Sequence, residues 1–495
     1  MRVLSIERER DVEMEFSINK WEEDKFTGVL RETLSQYKTG MEIDLEEVVD
    51  YHHSIPKRKN VPEMLAKARD EGKTLLNPRA GVAGLDEMIA TLLALQEAGA
   101  DLLPINPDAY TRTEQFEKAE KGLDESLKAG LSLLNGFPAV AHGVSGCRRL
   151  FEAVDRPIVT RSVTPRSRLL CAMVIAGGVT EVCSGVLSEL LCMEYDLPVE
   201  KSVLSAQFIG RLAGWLYERG VKIALDSVST AAAGTISTPS LAVVTGIVDS
   251  LVSASQGAKY VSVGFAAMHN LVQDIAGLRS QRRITRKYLD QFGYGDVSLS
   301  QNLHQWNGPF PPCKHSSIGM IALITAIAAL YGKAEQMMVK TGEEGFGVPS
   351  KEANAESIIV CRQVMNMLRG QEFPNSKEVE EETRMIEIEA EAILNKMLEL
   401  GDGDILVGAF NALKMGVYEY PYSVSKHNLG KVMLVRDASG AVRYHTTGNL
   451  PFPRETIEYH KEKIAERKAL ENRDEYLMII DDLREVRAPL NPQDQ

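Results

Sequence analysis

The sequence predicts an α/β protein built around a (β/α)8 barrel of the TIM type. From about Thr74 onward, short apolar runs alternate with helical stretches at intervals of roughly 20 to 40 residues, as repeated βα units do. The alternation continues for about 270 residues, the usual size of such a barrel, which favours it over a doubly wound open sheet. We therefore expect an N-terminal helical segment at residues 1–65, the barrel at residues 66–370 and a C-terminal α/β extension at residues 371–495.

Nine short apolar runs qualify as strands. That is one more than the barrel holds, so at least one of them is misassigned or lies outside it. In chain order the candidate strands are TLLNPR, ADLLPIN, PAVAHGV, RPIVTR, GGVTEVC, VKIALDSV, KYVSVGF, DVSLSQN and EQMMVK. Apolar side chains at helical spacing predict helices before and between these runs, and one long helix in the extension. The predicted helices cover residues 21–37, 45–52, 85–97, 115–129, 318–331 and 377–400.

Charge and cysteine content argue against several classes of protein. A net charge of -13 and a pI near 5.4 make nucleic acid or an anionic membrane an improbable partner, because both attract basic surfaces. The six cysteines form no CxxC pair, which is typical of reduced thiols. The N-terminus is charged where a signal peptide is apolar, and the longest uncharged run, residues 318–332, is too short for a membrane span. We expect a cytoplasmic enzyme.

Common metal-binding, nucleotide-binding and catalytic motifs are missing from the sequence. The histidines include no HExxH and no ligand spacing beyond the adjacent His52 and His53. Neither the GxGxxG loop nor the P-loop occurs, and there is no GxSxG nucleophile elbow. The sequence therefore predicts no metal site in this chain.

Three arginines follow predicted strands at their carboxyl ends. Arg79 ends TLLNPR, Arg112 lies in the loop after ADLLPIN, and Arg161 ends RPIVTR. The carboxyl ends of barrel strands point into the active site, and a guanidinium matches a carboxylate with two parallel hydrogen bonds. Each arginine taken alone could instead pair with a neighbouring strand. Three of them on strand ends favour a receptor for a small acidic substrate.

Longer phrases of the sequence carry a family resemblance. These phrases are NPRAGVAGLDE, ADLLPINPDAYTR, LLNGFPAVAHGVSGCRR, HQWNGPFP, KEANA, SKHNLGKVMLVRD and VRYHTTGNLPF. In order and spacing, from roughly Trp21 to beyond Asp481, they resemble the large subunit of adenosylcobalamin-dependent glutamate mutase, also called methylaspartate mutase. The resemblance covers nearly the whole chain.

The resemblance implies a radical isomerase that needs a second protein. In the family, the large subunit is a (β/α)8 barrel that dimerises within a heterotetramer, and a small flavodoxin-like subunit carries most of the cobalamin. A histidine in the small subunit's DxHxxG motif ligates cobalt. That motif is absent here, so the chain alone is expected to be inactive. The adenosyl radical takes hydrogen from glutamate, whose fragments recombine as 3-methylaspartate, while the protein excludes competing reactions.

Residues of the family site can be carried over to this sequence one by one. Arg79, Arg112 and Arg161 align with the three substrate arginines, in agreement with their strand-end positions. Asn135 aligns with an asparagine near the adenosyl group, and Lys340 and Glu344 with a pair that touches its ribose. The expected cofactor-binding positions are Gly81, Asn135, Gln336, Lys340, Glu344 and Val348.

The same comparison reveals departures around the substrate. Cys183 stands where the family has a glutamate that contacts the substrate ammonium. Glu189 and Met193 replace two tyrosines that help to hold substrate. Further changes are Ser162-Val163 for His-Gly and Gln336 for a second lysine beside the adenosyl group. We place Cys183 and Glu189 at the catalytic positions, with Ser162 and Met193 among the substrate contacts.

A thiol cannot replace a carboxylate that pairs with a buried ammonium. Either Glu181 or Glu189 therefore takes over that role, or the substrate differs from glutamate. Three hypotheses stay open: a glutamate mutase subunit, a related mutase of a secondary-metabolite pathway acting on another amino or oxo acid, and a non-catalytic paralogue that binds an acid or a partner. Retention of both the arginines and the Lys340–Glu344 pair speaks against the third.

Overall fold

The computed structural model describes residues 17–162, 164–192, 194–229, 236–331, 334–371 and 376–484. Eight parallel strands form the centre of these described parts. They are β1 Leu75–Asn77, β2 Leu103–Ile105, β3 Ile158–Thr160, β4 Glu181–Cys183, β5 Ala224–Ser227, β6 Tyr260–Ala266, β7 Ser298–His304 and β8 Gln336–Met338. Each coincides with one of the apolar runs predicted from the sequence.

The strands close into a ring. Six of them form a parallel sheet in the order β1-β8-β7-β6-β5-β4, and β2 pairs with β3. The amide nitrogens of Asp101 and Leu102, just before β2, donate to the carbonyl oxygen of Leu76 in β1 at 3.0 and 3.2 Å. On the other side of this pair, β3 lies beside β4. Each strand thus neighbours the preceding and following strands, which is the predicted (β/α)8 barrel and not an open sheet with reversed strand order.

Helices connect and surround the strands. Before β1 lie α1 Glu23–Leu34, α2 Leu45–Ser54 and α3 Val61–Asp70. Between the strands and after β8 lie α4 Leu85–Ala98, α5 Ala109–Arg112, α6 Phe116–Ala129, α7 Ala139–Glu152, α8 Arg168–Ala176, α9 Leu187–Cys192, α10 Val199–Tyr217, α11 Pro239–Ser255, α12 Leu271–Gln291, α13 Lys314–Tyr331 and α14 Lys351–Met367. The remaining elements are α15 Lys377–Leu400, α16 Ile405–Met415, the antiparallel hairpin of β9 Val432–Arg436 and β10 Val442–Thr447, α17 Arg454–Glu471 and α18 Glu475–Arg484. The predicted division at residue 65 falls inside α3, and the domain boundaries stay predictions.

One predicted strand is wrong. The run PAVAHGV, residues 138–144, opens helix α7. The backbone of Gly143 is not helical (φ 69°, ψ -177°), so a kink interrupts α7 within this run. The helical stretch before the kink is too short for its period to be distinguished from that of a strand. Removing this run leaves the eight strands that a barrel requires.

Helix α11 explains why the chain continues beyond the barrel. All 17 of its residues are buried, and its sequence is apolar or small on every face apart from Asp249. A helix of that composition needs cover on all sides. The barrel strand β6 lies against it from within, and α15 and α16 pack over it from outside. The hydroxyl of Ser240 donates to Glu389 in α15 at 2.6 Å, which ties the two layers together.

The amino end of the barrel is closed by a buried carboxylate. Glu335, just before β8, is 1% exposed and accepts hydrogen bonds from Arg69 at 2.8 Å, Arg282 at 2.7 Å and the Gln301 amide at 2.8 Å. The carboxyl end carries the connecting loops, where barrel active sites lie. Over the described ranges, no helix combines the length and apolar character needed to cross a bilayer.

Candidate functional site

Inward-facing residues line the inside of the barrel in two layers, of which the first is polar. The first layer, here called the inner layer, contains side chains that hydrogen-bond to one another across the barrel. Its members are Asn77, Arg161, Glu181, Asp226, Ser262, Asn302 and Gln336. Because strand side chains alternate between faces, residues two positions further along also point inward, nearer the carboxyl end. This outer layer includes Cys183, Gly264 and His304.

Arg161 is the centre of the inner layer. Its Nη1 donates to Asp226 Oδ2 at 2.6 Å, and its Nη2 donates to Glu181 Oε1 and Gln336 Oε1, both at 2.6 Å. When the Asn77 amide is oriented with its oxygen toward Arg161, that oxygen accepts a hydrogen bond from Nε at 2.7 Å. Arg161 is therefore paired with the two strands that follow its own, β4 and β5. Arg161 therefore makes the contacts expected of an arginine that pairs with neighbouring strands.

The charges in this layer compensate one another. Burial alone would lower the pKa of Arg161, but Glu181 and Asp226 raise it above its usual value, so the guanidinium stays charged. The pKa of Glu181 is raised to about 7, mainly by burial and further by the nearby carboxylate of Asp226. The charge of Arg161 opposes this shift. Removing one partner from such a cluster leaves an uncompensated buried charge, which typically costs about 3–5 kcal/mol.

Arg79 and Arg112 differ from Arg161 because their guanidinium groups have no partner among the described residues. Neither makes an ion pair or a side-chain hydrogen bond there, and the Nε of Arg112 is buried without an acceptor. Burial and the nearby charge of Arg79 lower the pKa of Arg112, against the opposing charge of Asp108. Two cations held this close favour the binding of an anion such as a carboxylate.

The loops that carry these two arginines pack backbone against backbone. A Cβ on Gly81 would lie 2.4 Å from the carbonyl oxygen of Asn106, and a Cβ on Gly136 would lie 2.5 Å from the amide of Asp108. Neither position can therefore hold a larger residue without moving the loops. Beside them, the exposed Asn135 accepts a hydrogen bond from the amide of Ala109 at 2.9 Å, at the start of the short helix α5 that ends at Arg112.

Lys340 and Glu344 lie after β8. The Nζ of Lys340 is 4.0 Å from Glu344 Oε2, and the lysine is only 4% exposed. Burial and the charge of Arg79 lower the pKa of Lys340 to about 8, although Glu344 opposes the shift. The backbone of Lys340 is held by the side chain of Gln305 at 2.8 Å. Val348, further along the same loop, is 63% exposed.

Burial disfavours the charged forms of both residues in the predicted catalytic pair. Cys183 is 3% exposed, and burial raises the pKa of its thiol to about 12; the thiol donates to the carbonyl oxygen of Thr160 at 3.5 Å. Glu189 is 2% exposed, neither of its oxygens has a partner among the described residues, and burial with nearby Asp249 raises its pKa well above normal. The hydroxyl of Ser162 is also buried and unpartnered in the described chain. Met193 lies outside the described residues.

The structure brings together some of the predicted positions and adds others. Arg79, Arg112 and Lys340 form a cationic group at the carboxyl end, here called the mouth cations, because the charge of Arg79 lowers the pKa of both Arg112 and Lys340. Gln336 lies in the inner layer instead, between Arg161 and Glu181. Sequence reasoning missed the polar residues Asn77, Asp226, Ser262, Asn302 and His304. The available signal was alternation, since each lies on the inward face of its strand.

The sequence and the structure were compared with protein families, curated proteins and solved structures. A family model described as Methylaspartate mutase E chain (MutE) matches residues 55–488. Similar curated proteins are the glutamate mutase epsilon subunits of Treponema denticola, 39% identical over 475 residues covering 96% of this chain and 98% of that protein, and of Desulfitobacterium hafniense, 39% identical over 472 residues covering 95% and 97%. That of Escherichia coli O157:H7 is 37% identical over 475 residues, covering 96% and 98%. Among solved structures, the DAHP synthase of Thermotoga maritima aligns with a TM-score of 0.34 and 12% identity over 60% of this chain and 68% of that one. The chain belongs to the methylaspartate mutase E chain family.

Proposed function

We propose that this chain is the large, substrate-binding subunit of a cobalamin-dependent isomerase that interconverts L-glutamate and 3-methylaspartate. Family membership over residues 55–488 supports the reaction class. The observation that carries the substrate class is the pair of unpartnered guanidinium groups, Arg79 and Arg112, at the carboxyl end of the barrel. Their charges suit the carboxylates of a small dicarboxylic acid.

The residues after β8 suit the ribose of an adenosyl group. The carboxylate of Glu344 can accept hydrogen bonds from two ribose hydroxyls. The buried ammonium of Lys340 has three N–H donors, so it can donate to a ligand as well as to Glu344. Gly81 and Asn135 lie on the neighbouring loops and would hold the adenosine side of adenosylcobalamin together with this pair. When bound, that cofactor supplies the radical that starts the rearrangement. This chain's residues bind the acid, orient it over the inner layer and exclude water from the barrel.

A partner subunit belongs to this proposal. The relatives are named epsilon subunits, and this sequence lacks DxHxxG, so we propose that a small protein with that motif carries most of the cobalamin. The expected assembly is a heterotetramer built on a dimer of this chain. The loops at the carboxyl end carry the proposed cofactor contacts and would face the small protein.

A second candidate function rests on Cys183 and Glu189. In the described structure the first is a neutral thiol and the second a buried carboxyl whose charged form is disfavoured. Glu181 is engaged by Arg161 and Gln336. Of Cys183, Glu181 and Glu189, none thus offers a free carboxylate to a substrate ammonium unless Glu189 ionises, and the unpartnered Oδ1 of Asp226 is a further carboxylate oxygen inside the barrel. This supports a mutase that prefers a related acid over glutamate.

The first prediction tests the two-subunit proposal. The purified chain is expected to bind cobalamin weakly or not at all, whereas mixing it with a small DxHxxG subunit should give a red complex of roughly equal stoichiometry. The complex with adenosylcobalamin should form 3-methylaspartate from glutamate, measured by chromatography. Tight cobalamin binding by this chain alone would contradict the division of labour. A correctly assembled complex that converts no acid would contradict the catalytic function.

The second prediction separates receptor arginines from the structural one. Arg79→Lys and Arg112→Lys should lower kcat/KM by about 10- to 100-fold, because an ammonium cannot form two parallel hydrogen bonds. Their free energies of unfolding should change by less than about 1 kcal/mol. Arg161→Lys, the matched comparison, should also impair turnover, but should in addition lower the free energy of unfolding by about 2 kcal/mol or more. Denaturant unfolding and steady-state kinetics measure both quantities; wild-type kinetics in Arg79→Lys, or wild-type stability in Arg161→Lys, would contradict the assignment.

The third prediction concerns the missing carboxylate. If glutamate is a poor substrate because its ammonium is unpaired, Cys183→Glu should raise 3-methylaspartate formation several-fold at equal cobalamin saturation. Cys183→Gln is the control of matched size and should give no gain. Efficient conversion by the wild type, lost in Glu189→Gln and kept in Cys183→Ala, would instead place the ammonium partner at Glu189. An equal gain in the glutamine control would refute the electrostatic explanation.

A further inference from the structure

One buried histidine of the outer layer has a free ring nitrogen. His304 ends β7, two residues after the inner-layer Asn302, and is 1% exposed. Its Nδ1 lies 3.3 Å from the side-chain nitrogen of Asn307. Its Nε2 is buried and has no hydrogen-bond partner in the described parts of the chain.

The contact with Asn307 indicates which nitrogen carries the proton. With the Asn307 amide nitrogen facing the ring, this nitrogen donates to Nδ1, which is then the unprotonated nitrogen of a neutral ring. The proton is then on Nε2, which becomes a donor. Burial and the charges of Arg161, Lys340 and Arg79 lower the pKa of His304 well below its usual value, so the ring stays neutral. The Nε2–H of His304 is then a neutral donor near several cations, and no acceptor for it exists among the described residues.

The Nε2 side of the ring faces Gly264 on the adjacent strand β6. A Cβ at Gly264 would lie 3.3 Å from this nitrogen and 2.9 Å from the carbonyl oxygen of Ser227, so a larger residue there would crowd both. Glycine at this position leaves the ring nitrogen without a neighbouring side chain from β6.

Other buried histidines of this chain show what a structural role looks like. The Nε2 of His52 contacts the carbonyl oxygen of Ile175 at 2.8 Å, and that of His460 contacts Glu389 at 2.9 Å. In both cases this nitrogen is satisfied by the protein. A buried donor without an acceptor is costly, and proteins retain few of them. His304 and His269 both have a buried Nε2 without a partner in the described chain, but of these two only His304 lies in a barrel strand, at its carboxyl end.

We propose that His304 donates a hydrogen bond from Nε2 to an oxygen of the acid held by Arg79 and Arg112. This inference rests on the proposed function, because it assigns His304 to the same site. The ligand group is a carboxylate or carbonyl oxygen of a small dicarboxylic acid. The arginines supply charge, which attracts an anion from any direction, whereas a neutral N–H in a fixed ring fixes where one oxygen must lie. His304 thereby adds positional specificity.

The test compares two replacements in the full chain, with glutarate as the probe. Glutarate is a dicarboxylate without an amino group, so its binding does not depend on the ammonium partner. His304→Gln keeps an N–H near the position of Nε2, and His304→Leu removes it. Calorimetric titration should show the Kd for glutarate about 10-fold or more higher in His304→Leu, the loss expected for one hydrogen bond to a charged group. In His304→Gln the Kd should stay within about threefold of wild type, since the donor is retained.

Two controls keep the test decisive. His52→Gln alters a buried histidine whose Nε2 is satisfied elsewhere, and should leave the Kd unchanged. In the wild type, the Nε2 resonance of His304 should shift on adding glutarate, so the proposal is testable even if His304→Leu fails to fold. Unchanged affinity in a folded His304→Leu, equal losses in both His304 variants, or an unmoved resonance at saturation would overturn it. The proposed reaction is judged separately, by 3-methylaspartate formation in the wild-type complex.

Discussion

The ion cluster of Arg161 with Glu181 and Asp226 is the constraint on which the interior of this barrel depends. It joins strands β3, β4 and β5, and through Gln336 it reaches β8 on the far side. A barrel interior is usually filled by branched apolar side chains. Here a polar layer replaces part of that filling, and it is tolerable because every side chain in it makes at least one hydrogen bond, although Asp226 Oδ1 and Asn302 Oδ1 have no partner in the described chain. As a consequence, most N–H groups of Arg161 already donate hydrogen bonds within the protein.

This layer separates charges that are paired within the protein from cations that are paired weakly. Below it, Glu335 is matched by Arg69 and Arg282 at the amino end of the barrel. Above it, Arg79 and Arg112 make no ion pair in the described chain, although Asp108 lies near Arg112, and Lys340 is 4.0 Å from Glu344. An anion that enters from the carboxyl end would therefore meet an excess of positive charge. The helices and hairpin of the extension contribute by covering α11, which keeps the wall of this pocket in place.

Much of this arrangement could be predicted from the sequence, and the parts that could not have identifiable reasons. Strand alternation and length gave the barrel, because repeated βα units leave a strong periodic signal. The run at residues 138–144 was misassigned because seven residues are too few to distinguish the 3.6-residue period of a helix from the two-residue period of a strand. Strand-end position predicted Arg79, Arg112 and Arg161 alike, but it could not tell a paired arginine from a free one. That distinction depends on Glu181 and Asp226, which belong to other strands, and on long-range contacts that no local pattern records. Strand alternation places His304 on the inward face of β7, but alternation does not show which inward residues lack a partner.

The most direct test of this account is a crystal structure of the full chain with glutarate bound. The account predicts one carboxylate of the ligand within hydrogen-bonding distance of Arg79 and Arg112, while Arg161 keeps its contacts with Glu181 and Asp226. Glutarate held by an Arg161 that has turned away from those two carboxylates would contradict the division between structural and receptor charges. Glutarate bound anywhere outside the carboxyl end of the barrel would contradict the location of the site.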